Sequence, residues 1–291
     1  MHTISCNTYK LLMRNKVFWL AFLIILGLIA FFQVMEQTEW GGYASSREFT
    51  LASFVPYMNA YLFSLFQIIP LLFLVTTYGG KEGKLDSMDA VYYRPESNVE
   101  YVWGVAWGFT KAFMLMAGVS LVLATTIHLL GTEAPFNMWV YLFYLFTLVF
   151  PTFVFAYGVC LLVKCYVEYR LLSLTLLLLY FIVIIFFIGD WQGGILDATG
   201  TTLPNAFSEV EGHPDLFMYL TQRLAWFLVG VGCIQLSVTG FKRLSNTPER
   251  HIRRMVLALS FLGIGVVLIG VYAMTERGEY LARREYAKVY D

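Results

Sequence analysis

Residues 17–35 read VFWLAFLIILGLIAFFQVM, an unbroken apolar run without a charged side chain. A helix of about 20 such residues spans the hydrocarbon core of a bilayer, which is roughly 30 Å thick. Lys10, Arg14 and Lys16 precede the run, and the EQTEW that follows offers no small-residue cleavage site. The stretch is therefore predicted to be a retained first transmembrane helix and not a cleaved signal peptide.

Further apolar blocks of similar length follow along the chain. Their approximate bounds are 58–78, 105–130, 139–163, 171–188, 224–241 and 255–274. The composition agrees with this pattern, because 58% of the residues are hydrophobic and only 14% are charged, with a mean hydropathy of +0.65. So few charges cannot cover a water-exposed surface. We predict an all-α fold, a polytopic membrane helix bundle with seven spans and no internal repeat.

Basic residues predict how the chain is oriented, because short cytoplasmic loops are enriched in Lys and Arg. The N-terminal arm, the stretch 79–101, the turn KCYVEYR and the run FKRLSNTPERHIRR all carry such residues, whereas acids outnumber bases in the intervening connections. We therefore expect a multi-pass protein of the cell membrane, and specifically of a bacterial inner membrane. Its N-terminus is expected to be cytoplasmic and its C-terminus extracytoplasmic.

Charge and cysteine content narrow the function classes only slightly. The formal net charge is zero, so total charge says nothing about partners, and no nucleic-acid partner is expected. Cys6, Cys160, Cys165 and Cys233 fall in predicted cytoplasmic or membrane segments. A disulfide framework is therefore not expected.

The polar stretch 79–101 holds the most informative pattern in the chain. Leu85, Met88 and Tyr92 recur at helical spacing, which is typical of a short amphipathic helix at a membrane surface, and Pro95 ends it. Two interpretations of this helix remain open: an ordinary interfacial connection without a partner, or a contact that receives force from another subunit.

Ser97 and Glu100 follow the proline and have the spacing of a capping box. In that motif each side chain satisfies a free backbone amide of a new helix. We therefore predict that the third span begins here.

Together these residues resemble the intracellular loop between spans two and three of ABC-2 type transporter permeases. The residues that carry the resemblance are, in order, Glu82, Gly83, Leu85, Pro95, Ser97, Glu100, Tyr101 and Gly104. The resemblance covers about 1–250 of the chain. It includes a long outer loop, 189–223, before the sixth span. The seventh span and its helical tail, 251–291, are not part of the six-helix unit, and Val105 stands where the family often has Lys.

The resemblance implies a coupling helix that docks onto a separate ATPase subunit. The residues placed at this contact are Glu82, Leu85, Met88, Tyr92, Arg94, Pro95 and Glu96. It further implies an exporter with a second permease subunit, identical or different, surrounded by membrane lipid. No catalytic residue, cofactor or metal is expected on this chain, and ATP is expected on the partner subunit.

Motifs for nucleotide chemistry on the chain itself are not found. Gly83-Lys84 lacks the other residues of a P-loop. The sequence from Asp197 to Thr202 is similar to the phosphorylated-aspartate motif of P-type ATPases, but Ala198 stands where that motif has Lys. We interpret this segment as part of a turn-rich outer loop.

Other candidate sites are weaker. Glu209, Glu211, His213 and Asp215 have no spacing that matches a metal signature, so an acidic solvated loop is predicted.

Almost no charge is predicted inside the spans, since Lys111 can reach the headgroups. This favours an amphipathic or lipid-like cargo over a proton or ion path.

Two alternative functions remain. The chain could be a membrane-anchored scaffold or sensor that acts through its tail, TERGEYLARREYAKVYD. It could also be an intramembrane enzyme, although no zinc, aspartate-pair or serine motif of such enzymes is found.

Overall fold

The computed structural model describes residues 1–37, 54–78, 97–131, 136–167, 169–189, 194–200, 212–213, 215–240 and 248–290. Within these residues, seven helical stretches are long and apolar enough to cross a membrane. In chain order, spans one to seven are Lys16–Met35, Val55–Thr77, Asn98–Leu130, Met138–Tyr166, Arg170–Ile188, Leu216–Gly240 and Ile252–Gly278. The chain is thus a polytopic, all-helical membrane protein, as the apolar blocks predict.

The helices extend beyond the spans at several points. Their bounds are α1 His2–Arg14, α2 Lys16–Gln37, α3 Phe54–Phe66, α4 Ile68–Tyr78, α5 Asn98–Gly131, α6 Met138–Tyr144, α7 Phe150–Tyr166, α8 Arg170–Val183, α9 Leu216–Gly240 and α10 Pro248–Tyr290. Span two consists of α3 and α4, and span four of α6 and α7. Two π-helical segments, Leu145–Val149 and Ile184–Ile188, lie within span four and at the end of span five.

Two spans begin seven or more residues earlier than their apolar blocks predict. Span three begins at Asn98 and not near 105, because the capping residues start the helix before the apolar run. Span six begins at Leu216 and not near 224. Its first turns carry polar side chains, and these find partners inside the protein.

Span two is interrupted at Gln67, three residues before Pro70. Proline has no N–H to donate and its ring clashes with the preceding turn, which disturbs a helix at this point. The side chain of Gln67 donates to the main-chain oxygen of Val149 in span four, at 3.3 Å. The interruption of one span is therefore tied to the π-helical segment of another.

Spans four and six form the centre of the bundle. Gly158 and Gly230 let the two helices come together, because a Cβ on Gly158 would lie 2.4 Å from the main-chain oxygen of Gly230. Span four is the most buried of the spans and span seven the least.

Polar side chains link further pairs of spans. Ser120 in span three donates to Asn59 in span two at 2.8 Å, and Trp103 in span three donates to Gln235 in span six at 3.0 Å. Hydrogen bonds of this kind join membrane helices, and these two join span three to spans two and six.

The spans alternate in direction, which defines two ends of the bundle. At the α1 end, Arg170 of span five donates to Thr77 of span two at 2.6 Å. At the far end, His128 of span three hydrogen-bonds to Tyr141 of span four at 2.8 Å. His128 is 1% exposed, so its ring is buried.

Candidate functional site

The residues predicted to contact an ATPase lie outside the described residues. They are Glu82, Leu85, Met88, Tyr92, Arg94, Pro95 and Glu96. Ser97 follows them directly in the chain and is the first described residue of the next helical segment.

Span three begins with the predicted capping box. The backbone N–H of Ser97 donates to the carboxylate of Glu100 at 3.0 Å, and the N–H of Glu100 donates to the hydroxyl of Ser97 at 3.2 Å. The carboxylate also lies in the first turn, where the helix dipole favours negative charge. The capping box is confirmed, and it fixes the start of this helix.

Helix α1 packs directly on the first turns of span three. Gly104 and Gly108 make the close approach possible, since a Cβ on Gly104 would lie 2.9 Å from the Cβ of Ile4. A Cβ on Gly108 would lie 2.5 Å from the Cβ of Thr8. The helix that follows the predicted coupling stretch is thus braced by the N-terminal helix.

A second cluster lies deeper in the bundle, where part of the connection between spans five and six folds inward. Asp197, Ala198 and Thr199 have no exposed surface. The carboxylate of Asp197 accepts from the N–H and the hydroxyl of Thr199 at 3.0 and 2.8 Å, and from the N–H of Gly200 at 2.7 Å. The predicted turn is confirmed, and the structure shows that it is buried in the protein.

Arg223 of span six holds this turn in place. Its guanidinium donates to the main-chain oxygens of Asp197, at 2.6 Å, and Ala198, at 3.4 Å, and to the side-chain oxygen of Gln222, at 2.8 Å. The amide of Gln222 in turn donates to the oxygens of Gly194 and Asp197, at 3.0 and 2.7 Å. Burying a charge is costly unless it is hydrogen-bonded, and these bonds offset that cost.

The turn is also attached to span four and fitted closely to the arginine. Thr152 in span four donates to the oxygen of Thr199 at 3.1 Å. Gly200 has a φ of +73°, and a Cβ there would lie 2.5 Å from Nη1 of Arg223. Only glycine combines this backbone conformation with this contact.

Sequence reasoning placed Arg223 in the outer loop, one residue before its predicted sixth span. In the structure Arg223 is 1% exposed and Lys164 of span four is 6% exposed, so the expectation of almost no charge inside the spans is wrong. Trp226 is also buried, with its ring 4.9 Å from that of Phe155. The apolar run LFMYL before Thr221 is the signal that could have extended the span.

Aromatic rings cover this cluster at the far end. The ring of His213 stacks on Tyr219 with a centroid separation of 5.0 Å and lies 6.1 Å from that of Phe143. Burial lowers the pKa of His213 below its ordinary value of 6.5, and the nearby Asp215 opposes this effect. Glu209 and Glu211, considered with these two residues as metal ligands, lie outside the described residues.

Comparisons with protein-family models, with curated proteins and with solved structures find no match. On its own geometry, the chain is an all-helical membrane protein with seven candidate spans, a capped and braced third span and a buried arginine cluster.

Proposed function

We propose that the chain is the membrane-spanning permease subunit of an ABC transporter, in which ATP hydrolysis on a separate ATPase subunit drives substrate across the membrane. The observation that carries the proposal is the start of span three. This helix start follows directly on the stretch that resembles an ABC-2 coupling helix. It is capped by Ser97 and Glu100, and α1 packs against it.

A capped helix start suits the transmission of force. An uncapped end frays when it is displaced, whereas a capped end passes the displacement to the rest of the helix. The packing of α1 on span three carries the displacement further, because α1 is joined to span one through Asn15. The side chain of Asn15 accepts from the N–H of Val17 at 2.8 Å. Movement of the coupling stretch would therefore reach spans one and three together.

The buried cluster favours a transporter over a simple anchor. Irregular backbone at membrane depth is tolerated where it is enclosed by protein or lines a cavity, and buried ionisable residues are costly and tend to be kept for function. The turn at Asp197, the arginine at 223 and the interruption at Gln67 are all features that a scaffold does not need.

In this proposal the chain itself carries no catalytic residue. ATP binding and hydrolysis belong to the partner ATPase, and a second permease subunit completes the pathway. We propose export as the direction of transport.

The proposal is tested by affinity purification of the detergent-solubilised chain from its native membrane, followed by mass spectrometry of the proteins that accompany it. The test variant is the double substitution Leu85→Asp, Met88→Asp. Leu11→Asp is the matched control, because Leu11 is an apolar residue of α1 that is 55% exposed. Each variant is first checked for membrane insertion and a single monodisperse species.

We expect an ATPase subunit with the wild type and with Leu11→Asp, and its loss with the double variant. Recovery of no ATPase with any of the three would argue against a permease. It would favour a scaffold that acts through α10, which continues as one helix past span seven to Tyr290.

A further inference from the structure

A groove between spans three, six and seven opens at the α1 end of the bundle. It has a volume of about 560 Å³, and its lining includes Trp103, Gln235, Arg253, Arg254, Leu257 and Phe261. Two of the lining residues are cationic, and no acidic residue is among the described residues that line it.

Charge and apolar surface are separated along this groove. Arg253, Leu257 and Phe261 are spaced by four residues on α10, so they follow one another along one face of the helix. At 1.5 Å per residue, Phe261 lies about 12 Å from the level of Arg253. The groove is therefore positively charged beside the first turn of span seven. Its apolar floor, formed by Leu257 and Phe261, extends from there towards the middle of the span.

We propose that this groove binds one anionic phospholipid, with its phosphate at Arg253 and Arg254 and one acyl chain along Leu257 and Phe261. Guanidinium groups are well suited to phosphate oxygens, to which they donate paired hydrogen bonds. Basic pockets between transmembrane helices are a recurrent form of anionic-lipid site.

The groove also offers a polar neighbour and room for the chain end. Gln235 accepts from Trp103 through its amide oxygen, which leaves the amide nitrogen as its donor. A smaller cavity of about 110 Å³ shares Trp103 and Val231 with the groove and is lined by Trp107, Phe227 and other apolar side chains. This cavity is placed to receive the end of an acyl chain.

Charge favours a lipid over a second copy of the chain. In a twofold dimer that used this face, each copy would bring its own Arg253 and Arg254 to the contact, and like charges would meet. Free phosphate would contact the arginines but would leave the apolar floor uncovered. A lipid with a negative headgroup matches both parts. The inference does not depend on the proposed transport function.

The test is native mass spectrometry of the purified full chain in detergent, titrated with phosphatidylglycerol or with phosphatidylethanolamine of the same acyl chains. Arg253→Gln and the double variant Arg253→Gln, Arg254→Gln remove the charge, and Leu257→Trp fills the apolar floor. Arg277→Gln is the matched control, because Arg277 is an exposed arginine near the other end of span seven. Thermal unfolding verifies that each variant is folded.

We expect the wild type and Arg277→Gln to retain one phosphatidylglycerol in preference to phosphatidylethanolamine. One arginine near the membrane surface accounts for roughly a fivefold preference, so Arg253→Gln should lower it about fivefold and the double variant further. Leu257→Trp should weaken retention of both lipids. Excess inorganic phosphate should not displace the lipid.

Three results would overturn the inference. The first is a preference that is unchanged in the double variant, and the second is an equal loss with Arg277→Gln, which would indicate a general attraction to positive charge. The third is disulfide-linked dimer formation by Leu257→Cys in native membranes, which would show that a second copy covers the groove.

Discussion

Arg223 of span six donates from Nη2 to the main-chain oxygen of Asp197 at 2.6 Å, across 26 positions of sequence. The bond joins a membrane helix to a turn of the connection that precedes it. Because both residues are buried, the contact holds the turn inside the bundle. The same contact forms a polar centre in the far half of the bundle, and its contribution to the free energy of unfolding can be measured.

Replacing Arg223 with Met should lower the free energy of unfolding by roughly 3 kcal/mol. The main-chain oxygen of Ala198 and the side-chain oxygen of Gln222 lose their donor, and the main-chain oxygen of Asp197 keeps only the amide of Gln222. Chemical denaturation in detergent micelles, followed by tryptophan fluorescence, measures the loss. The control is Arg277→Met, which changes an exposed arginine and should stay within about 0.5 kcal/mol of wild type. Equal effects from the two substitutions would argue that Arg223 is not held as described.

Gly200 and Gly212 form a natural pair for a second test. Both have a φ of +73°, but a Cβ at Gly200 would lie 2.5 Å from Nη1 of Arg223, whereas a Cβ at Gly212 would meet nothing within 4 Å. Gly212→Ala should therefore cost only the backbone strain, roughly 1–2 kcal/mol. Gly200→Ala should cost clearly more, since the arginine must also move. Thermal midpoints of the two variants provide the comparison, and similar midpoints would contradict the close packing of the turn.

The docking of α1 on span three depends on Gly108. A methyl group there would lie 2.5 Å from Thr8, whereas at Gly118 of the same helix it would meet nothing within 4 Å. Gly108→Ala should release α1, which should appear as faster hydrogen exchange in residues 3–14. Gly118→Ala should leave that exchange unchanged, because both substitutions alter helix propensity alike. Slow exchange of α1 in both variants would mean that the brace is not needed.

His213 should make stability depend on pH. Burial lowers its pKa, so the folded state favours the neutral ring. Its contribution is therefore present above the unfolded pKa, about 6.5, and is lost as the pH falls through the lower folded value. The thermal midpoint of the wild type should drop between about pH 7.5 and pH 5, and the drop should be smaller in His213→Phe. The exposed residue His2 provides the control, and His2→Phe should behave as wild type.

The sequence predicted the spans well because each apolar run is long enough to identify a helix by itself. Ser97 and Glu100 were equally readable, because a capping box is local. Arg223 was missed because its partners, at Asp197 and Ala198, are distant in sequence and only the fold brings them together. Hydropathy falls at Thr-Gln-Arg, so the sixth span was predicted to begin after these residues. In the structure the helix already begins at Leu216 and continues through them. The ATPase contact, at residues such as Leu85 and Met88, depends on the family resemblance and stays a prediction.

The most direct test of the proposed function is site-specific photo-crosslinking in the native membrane. A photoreactive amino acid is placed at Met88, in the predicted coupling helix, and in a parallel sample at Leu130, an 84% exposed residue at the far end of span three. We expect position 88 to yield an adduct with a nucleotide-binding ATPase and position 130 to yield none. Adducts with an ATPase at both positions, or at neither, would contradict the assignment of this chain as an ABC permease.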